Sequence, residues 1–539
     1  MAALLHLPTQ KVADVVVVGA GLCGLALTRT LVARGLSVTL LEARERIGGR
    51  VLTRTDEQTG QALDLGATWY WTETEPRIVV LLGELGLATL AQHDPGDALW
   101  LTDPNRAPER RQEAAGVHAG ARRIQGGAAR LAEALAADLP EGCLQLGKAV
   151  RVLRDRGSHI DLVLESGAPL RARQVVLALP PRLIHDRMLM DPPLPATVWD
   201  AMETTATWMA THAKALVAFD QAFWREAGQS GNAFVRHAQA VLGEVFDACD
   251  ETQGAALAGF VALNPAQREH FQRGLPLLID SQLAQLYGQA AQSGRLELQD
   301  WALEPWTCSD TDRTTSPEPP LASPLLRQPL WSGRVFLGGS ETAAHGAGHM
   351  EGALEAAERI ARALLRQQAS SAATPEPVAL NRMNRDDALA AFAEGVAART
   401  AAAPDQYRRH LTRLLSSQQH ELLTQRALLA TVDRVYSESL AQIDSLLPAL
   451  DAADAAVVQG QHALTPALLA TFAGWNKGLL QAALAFNASS CALSNFAQDQ
   501  MPDAETQRAI TLDLAAAWRE FAIELNARLL QAQPMAVSA

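Results

Sequence analysis

Two stretches of this 539-residue chain stand out for the reactive or ligand-binding groups they carry. In "DVVVVGAGLCGLALTRTLVARGLSVTLLEARERIGGR", residues 14–50, Gly19, Gly21 and Gly24 make a GxGxxG pattern, and Glu42 stands eighteen residues past Gly24. Such glycines allow a tight turn at Gly19, a close backbone approach to a pyrophosphate at Gly21, and close helix–strand packing at Gly24. A carboxylate at Glu42 accepts hydrogen bonds from ribose hydroxyls and disfavours a 2′-phosphate. The second stretch, "THAKALVAFDQAFWRE", residues 211–226, sets Lys214 inside an otherwise apolar run. The pattern leaves two readings open: a strand-edge lysine whose stem packs on the core while its head reaches water, or an amine held inside for chemistry.

The elements that must position these residues are readable around them. A β-branched run ends at Gly19, a helical pattern begins at Leu22, and a second apolar run, Val38–Leu41, ends at Glu42. Glycines alone are a weak signal; the order strand, glycine turn, helix, strand gives them meaning, because it aims a helix N-terminus at a phosphate.

Composition bounds the function. A chain 48% hydrophobic has material for two or three domains with a substantial core. With 46 basic and 59 acidic residues its net charge is -13, which speaks against a partner held by nucleic-acid phosphates. Cys23, Cys143, Cys249, Cys308 and Cys491 lack CxxC spacing, so neither a disulfide framework nor structural zinc is expected, and no metal site is assigned. The opening "MAALLHLPTQ" lacks the basic start and cleavage site of a secretory signal, and no apolar stretch reaches the roughly 18 residues of a spanning helix. A soluble cytoplasmic protein is the expectation.

After Glu42 comes "ARERIGGR", which resembles the extension that separates FAD-binding two-dinucleotide-fold flavoproteins from nicotinamide dehydrogenases. "DLGATWYW" (residues 64–71), the GG-led helix of "RRIQGGAARLAEALAADLP" (122–140) and "RVFLGGSETAAHGAGHMEGALEAAERIARALL" (334–365) resemble, in order, segments of the flavin-containing amine oxidases, monoamine oxidases among them. The resemblance spans roughly residues 12 to 368. It implies an α/β fold: a Rossmann-like FAD-binding domain (1–76, 124–200 and 327–368) with an α+β substrate domain of the amine oxidase type (77–123 and 201–326). It also implies FAD, held non-covalently, because the position of the family's flavin-linked cysteine falls near Asp310, two residues past Cys308. Beyond the motif glycines and Glu42, it assigns Arg44, Gly49 and Arg50, then Gly66, Ala67 and Thr68, to the cofactor site. Val150 goes to the adenine side, Pro180 to the end of the run 147–181, Glu341 beside the ribityl and pyrophosphate, and Gly348, Met350 and Glu351 beside the flavin.

The same resemblance places Lys214, ten residues before Trp224, at the family's flavin-facing lysine, which holds a water against flavin N5. An ammonium there stabilises negative charge on the reduced flavin and on O₂ as it accepts an electron. Trp301 matches a tryptophan near the flavin, or a plain core tryptophan. Trp69 matches an aromatic position that faces substrate, and not the carboxylate-binding arginine of L-amino-acid oxidases. The family's two cage tyrosines are missing: His349 and a residue near Thr311 stand in their places. His349, with an ordinary pKa of about 6.5, is either an amine-binding group or general base, or a satisfied histidine beside His345. A polar or biosynthetic amine is expected in preference to a simple arylalkylamine.

Only about sixty residues separate Trp69 from Gly126, fewer than the family uses to wall its cavity, and a linker (369–380) leads to a helical domain (381–539) without family counterpart. Its periodicity predicts one helix about 60 Å long over 405–447. Two more are expected near 465–500 and 504–533, stopped by Pro502 and Pro534. Such a bundle either supplies the missing wall, in cis or across a homo-oligomer, or is a separate oligomerisation or partner-binding module weakly similar to granule-coating phasins. Two enzyme classes are implied: an FAD-dependent oxidase of an amine C–N bond, with O₂ as acceptor, or a flavin desaturase or dehydrogenase of a carbon skeleton. A non-oxidase that keeps FAD as structure is the third reading.

Overall fold

The computed structural model describes residues 12–112, 116–250, 254–314, 320, 323–372, 385–416, 422–447, 449–450, 457–458, 460–489 and 497–531. Cys491, Pro534, the opening "MAALLHLPTQ" and the linker after residue 372 lie outside them. The chain divides into two units, Met1–Ala372 and Ala373–Ala539.

In the first unit, the β-branched run forms strand β1 (Ala13–Val18), followed by helix α1 (Leu22–Ala33) and strand β2 (Val38–Leu41). β1 pairs in parallel with β2 on one side and with Leu170–Leu177 on the other. Such strands are buried on both faces, which is why Val15 to Val18 read as a continuous apolar run. The sheet has eight strands. Its far side is an antiparallel hairpin of Val150–Asp155 and Ile160–Leu164, as the run 147–181 suggested. Val335–Leu337 pairs in parallel with Leu170–Leu177, so the helix that follows, Met350–Ala372, packs its apolar side with α1 in one core containing Leu25, Leu31, Leu354 and Ile360.

A second, seven-stranded mixed sheet carries Lys214. The strand Ala213–Phe219 lies between Ala255–Val261 and Arg295–Asp300 and is buried throughout. Alternation sorts its side chains. Ala213, Ala215, Val217 and Phe219 enter one core with Trp224, while Leu216 and Ala218, on the face Lys214 shares, enter another with Leu63, Leu65, Phe246 and Trp69. The period of two therefore commits Lys214 to the interior.

The second unit is a set of helices with its own core, including Phe392, Tyr407, Tyr436 and Phe521. The single long helix expected over 405–447 is corrected. One helix runs Arg385–Ser416 with Pro404 inside it, and another runs Leu423–Leu446 after Leu422 in a left-handed conformation (φ 56°). Arg399 bonds Ser439, and Gln442 bonds the Ala391 carbonyl, so the two helices bury their apolar stripes on each other, which one straight rod cannot do. The expected 465–500 helix is three: Thr465–Ala470, Trp475–Ser489 and Ala497–Gln500. Gly474, at φ 75°, makes the first break. The last helix, Ala504–Gln531, starts after Pro502 as expected. Among the described residues no helix is long and apolar enough to cross a membrane.

Candidate active site

The nucleotide cradle forms where β1 turns into α1. Gly19 sits at φ 105°, and a Cβ there would lie 2.5 Å from the Ala178 carbonyl oxygen. At Gly24 it would lie 1.9 Å from the Gly19 oxygen, so α1 rests directly on the turn. Gly21 differs: nothing stands within 4 Å of an added Cβ. Gly21 caps α1 without a side-chain hydrogen bond, leaving the first-turn N–H groups for an anion. Glu42, buried at the end of β2, accepts from the Ala20 N–H (2.8 Å) and the Arg44 N–H (3.0 Å), which fixes its carboxylate beside the turn. Open space at a helix N-terminus for phosphate and a fixed acid for ribose together fit a dinucleotide.

The other cofactor candidates surround this turn or lead away from it. Gly49, at φ 60°, approaches the Gly21 Cα. Arg44 donates to Glu304 (2.9 Å) and to Thr307 (2.7 Å). Arg50 donates to both oxygens of the fully buried Glu341, at 2.6 and 2.9 Å, and to the Trp208 carbonyl at 2.9 Å. Burial alone would raise the Glu341 carboxyl, but Arg50 outweighs it and holds it below the usual carboxylate range. Gly66 is pressed on the Arg50 carbonyl, where a Cβ would stand at 1.9 Å, and the Ala67 N–H donates to that same oxygen. Val150 is buried in its strand, and Pro180 precedes the helix Pro181–Arg187. Gly348, at φ 79°, is packed on Trp208, and Met350 opens its helix from a buried position.

Lys214 is 3% exposed. Its ammonium donates to the Gly66 carbonyl at 3.1 Å and to the Thr68 hydroxyl, so the lysine meets two of the residues assigned to the cofactor site. It lies 5.3 Å from the Phe246 ring centre and 5.7 Å from that of Phe260, which favours the cation. Burial still lowers its pKa to about 7. Trp69 belongs to the same cluster: its ring is 4.3 Å from Phe246 and 4.6 Å from His118, and its Nε1 donates to Gln92.

Other candidates are placed differently. Trp301 is buried and donates its Nε1 hydrogen to the Leu65 carbonyl at 3.1 Å, anchoring the chain just before Gly66. His349 is exposed, its ring 5.8 Å from Trp208 and its Nδ1 2.9 Å from the Ala347 carbonyl oxygen. The Glu351 carboxylate is engaged with the N–H groups of Arg77 (3.0 Å) and Ile78 (3.1 Å) at the start of the helix Pro76–Glu84. Held there, the acid neutralises the positive end of that helix. Thr311 lies in the short helix Asp310–Thr314, and burial pushes the nearby Cys308 thiol up to about 11.

Sequence reasoning missed His118, Asp94 and Glu244. His118, buried and stacked on Trp69, stands 3.3 Å from Asp94 and 3.4 Å from Glu244. Burial lowers its pKa, but the two carboxylates outweigh burial and the net shift is upward. No motif joins residues separated by 24 and 126 positions, so the sequence carried no signal for them.

The family described as flavin containing amine oxidoreductase matches residues 22–117 and 105–365, so the helices after residue 365 lie outside the match. Putrescine oxidase of Kocuria rosea is 26% identical over 358 residues, covering 46% of this chain and 73% of that protein. Flavin-containing amine oxidase B of Homo sapiens is 24% identical over 461 residues, covering 65% and 86%. Among solved structures, putrescine oxidase bound to putrescine superposes with a TM-score of 0.56 at 22% identity, covering 66% of this chain and 100% of that one. Cyclohexylamine oxidase from Brevibacterium oxydans IH-35A does so at 0.55 and 19%, covering 67% and 100%. At these identities the structures share a fold.

Proposed function

The chain belongs to the flavin-containing amine oxidoreductase family, and from that premise we propose that it is an FAD-dependent oxidase of an amine C–N bond. The general chemistry, amine oxidation with reduction of FAD, comes with the family. When bound, FAD supplies the acceptor for the hydride equivalent leaving the carbon α to nitrogen; with O₂ and water, the amine ends as carbonyl compound and ammonia, and O₂ as hydrogen peroxide.

The chain's own residues divide the work. The open face of Gly21 and the first turn of α1 receive phosphate, Glu42 takes the ribose, and the Arg50–Glu341 pair braces the segments on either side of the cofactor path. Lys214 is the observation that carries the reading. An ammonium fixed on Gly66 and Thr68 inside an apolar strand is costly, and the cost is compensated where negative charge develops beside it. Trp69, Phe246 and Phe260 supply an apolar wall near that ammonium. His349 with Trp208 takes the place of a tyrosine cage in orienting the substrate nitrogen. A Cys308 thiol held protonated by burial is a poor nucleophile, which supports non-covalent FAD.

The test is peroxide release by FAD-loaded protein across a panel of mono-, di- and polyamines. Amine-dependent peroxide supports the oxidase. Flavin reduction by an unsaturable carbon skeleton, with no response to any amine, would replace it with the desaturase reading.

A further inference from the structure

Behind Lys214 lies a cavity of about 10 Å³ whose polar lining is Asp64, Thr68, Arg123, Lys214 and Asp250. That is room for about one water molecule, and the polar partners a buried water requires are present. The groups leave bonding capacity toward this space. Asp64 receives the Thr53 hydroxyl (2.6 Å) and the Ala128 N–H (2.8 Å) on a single oxygen, Oδ1. Lys214 gives two hydrogens to Gly66 and Thr68, and an ammonium has three. Asp250 Oδ1 is buried without a hydrogen-bond partner.

We propose that this cavity is a one-water site linking the Lys214 ammonium to Asp64, which makes Asp64 the positioning residue that keeps Lys214 protonated beside the cofactor. The inference rests on the reading of Lys214 as the cofactor-side ammonium. The charged groups facing the lysine come from three elements: Asp64 at the end of Ala62–Asp64, Arg123 in Ala121–Ile124, and Asp250 after Leu242–Asp247. Burial opposes ionisation of both Lys214 and Asp64, the Asp64 charge favours the Lys214 ammonium and the Lys214 charge favours the Asp64 carboxylate, and Arg123 works against Lys214. Removing the Asp64 charge therefore leaves burial and Arg123 both acting to strip the lysine of its proton. Asp64 needs no contact with substrate to do this.

The chain makes the measurement tractable, because its lysines are Lys11, Lys148, Lys214 and Lys477 alone. FAD-loaded protein labelled with ¹⁵N at lysine Nζ is titrated by NMR, the Lys214 signal being identified by its loss in Lys214→Met. In Asp64→Asn, which keeps an acceptor for Thr53 and Ala128, the Lys214 midpoint falls by about one pH unit or more. Should that variant not fold, Asp64→Ser, which also removes the charge and keeps a polar side chain, is titrated in its place, with the same fall expected. An unchanged Lys214 midpoint in the folded variant overturns the proposal. If the midpoint is unmoved while Lys214→Met still slows flavin reoxidation, the role of Asp64 fails and the oxidase reading stands. If the midpoint moves but no amine reduces the flavin, Asp64 holds the lysine and the oxidase reading fails.

Discussion

Arg50 and Glu341, 291 residues apart, meet in a two-point ion pair of 2.6 and 2.9 Å that ties the end of the glycine-rich N-terminal motif to the one-turn 3-10 helix Ser340–Thr342 that follows Val335–Leu337. Glu341 is fully buried and Arg50 only partly, so the pair is asymmetric: losing the arginine strands a carboxylate that solvent cannot reach. Arg50→Met is expected to cost roughly 3 kcal/mol in urea unfolding. In the parent the Glu341 pKa is depressed, so its contribution is complete above the ordinary glutamate value and is lost as pH falls through the folded one. The gap between parent and Arg50→Met accordingly narrows in acid.

The motif glycines make opposite predictions for one substitution. Gly24→Ala drives a methyl into the Gly19 backbone oxygen and is expected to destabilise the fold by about 3 kcal/mol. Gly21→Ala meets open space at φ -75°, which any residue adopts, so unfolding changes by less than about 1 kcal/mol. Its methyl occupies the space assigned to pyrophosphate, and FAD affinity, read by flavin fluorescence, falls at least tenfold (about 1.4 kcal/mol).

Lys214 has a stability signature of its own. Its pKa in the folded chain is about 7, against an ordinary 10.5, so between these values the unfolded chain binds more protons and stability rises with pH. Lys214→Met, measured without flavin, is therefore expected to be more stable than the parent at and below neutrality, on the order of 5 kcal/mol. The advantage shrinks as pH climbs toward the ordinary lysine value. A pH-independent difference between the two proteins would contradict the buried ammonium.

His118 carries the opposite sign. Its folded pKa is raised by Asp94 and Glu244, so its contribution is complete below the ordinary histidine value and is lost as pH rises through the folded one. His118→Gln removes this dependence. Urea midpoints taken across neutrality show the parent losing its advantage over the variant with rising pH.

The cradle was legible because its geometry is written in residue type. Gly19 must take a positive φ, Gly24 must lack a side chain, and β1, α1 and β2 have the periods of strand, helix and strand. Lys214 was legible as an anomaly, since an alternating strand commits it to the face of Leu216 and Ala218. The rest depends on long-range closure, which local pattern does not encode. Asp94 and Glu244 reach His118 from different strands and loops, and Trp208 comes under Gly348 through a loop without a motif. The C-terminal helices were legible in type and misplaced in extent, because periodicity runs on through 405–447 while Arg385–Ser416 and Leu423–Leu446 are separate helices that bury their stripes on each other.

Stopped-flow reoxidation of the reduced, FAD-loaded protein with O₂ reads out whether the Lys214 ammonium works opposite the reactive edge of bound FAD. Lys214→Met should retain FAD and react with oxygen about a hundredfold more slowly than the parent. Equal reoxidation rates in the two flavin-loaded proteins would contradict that role.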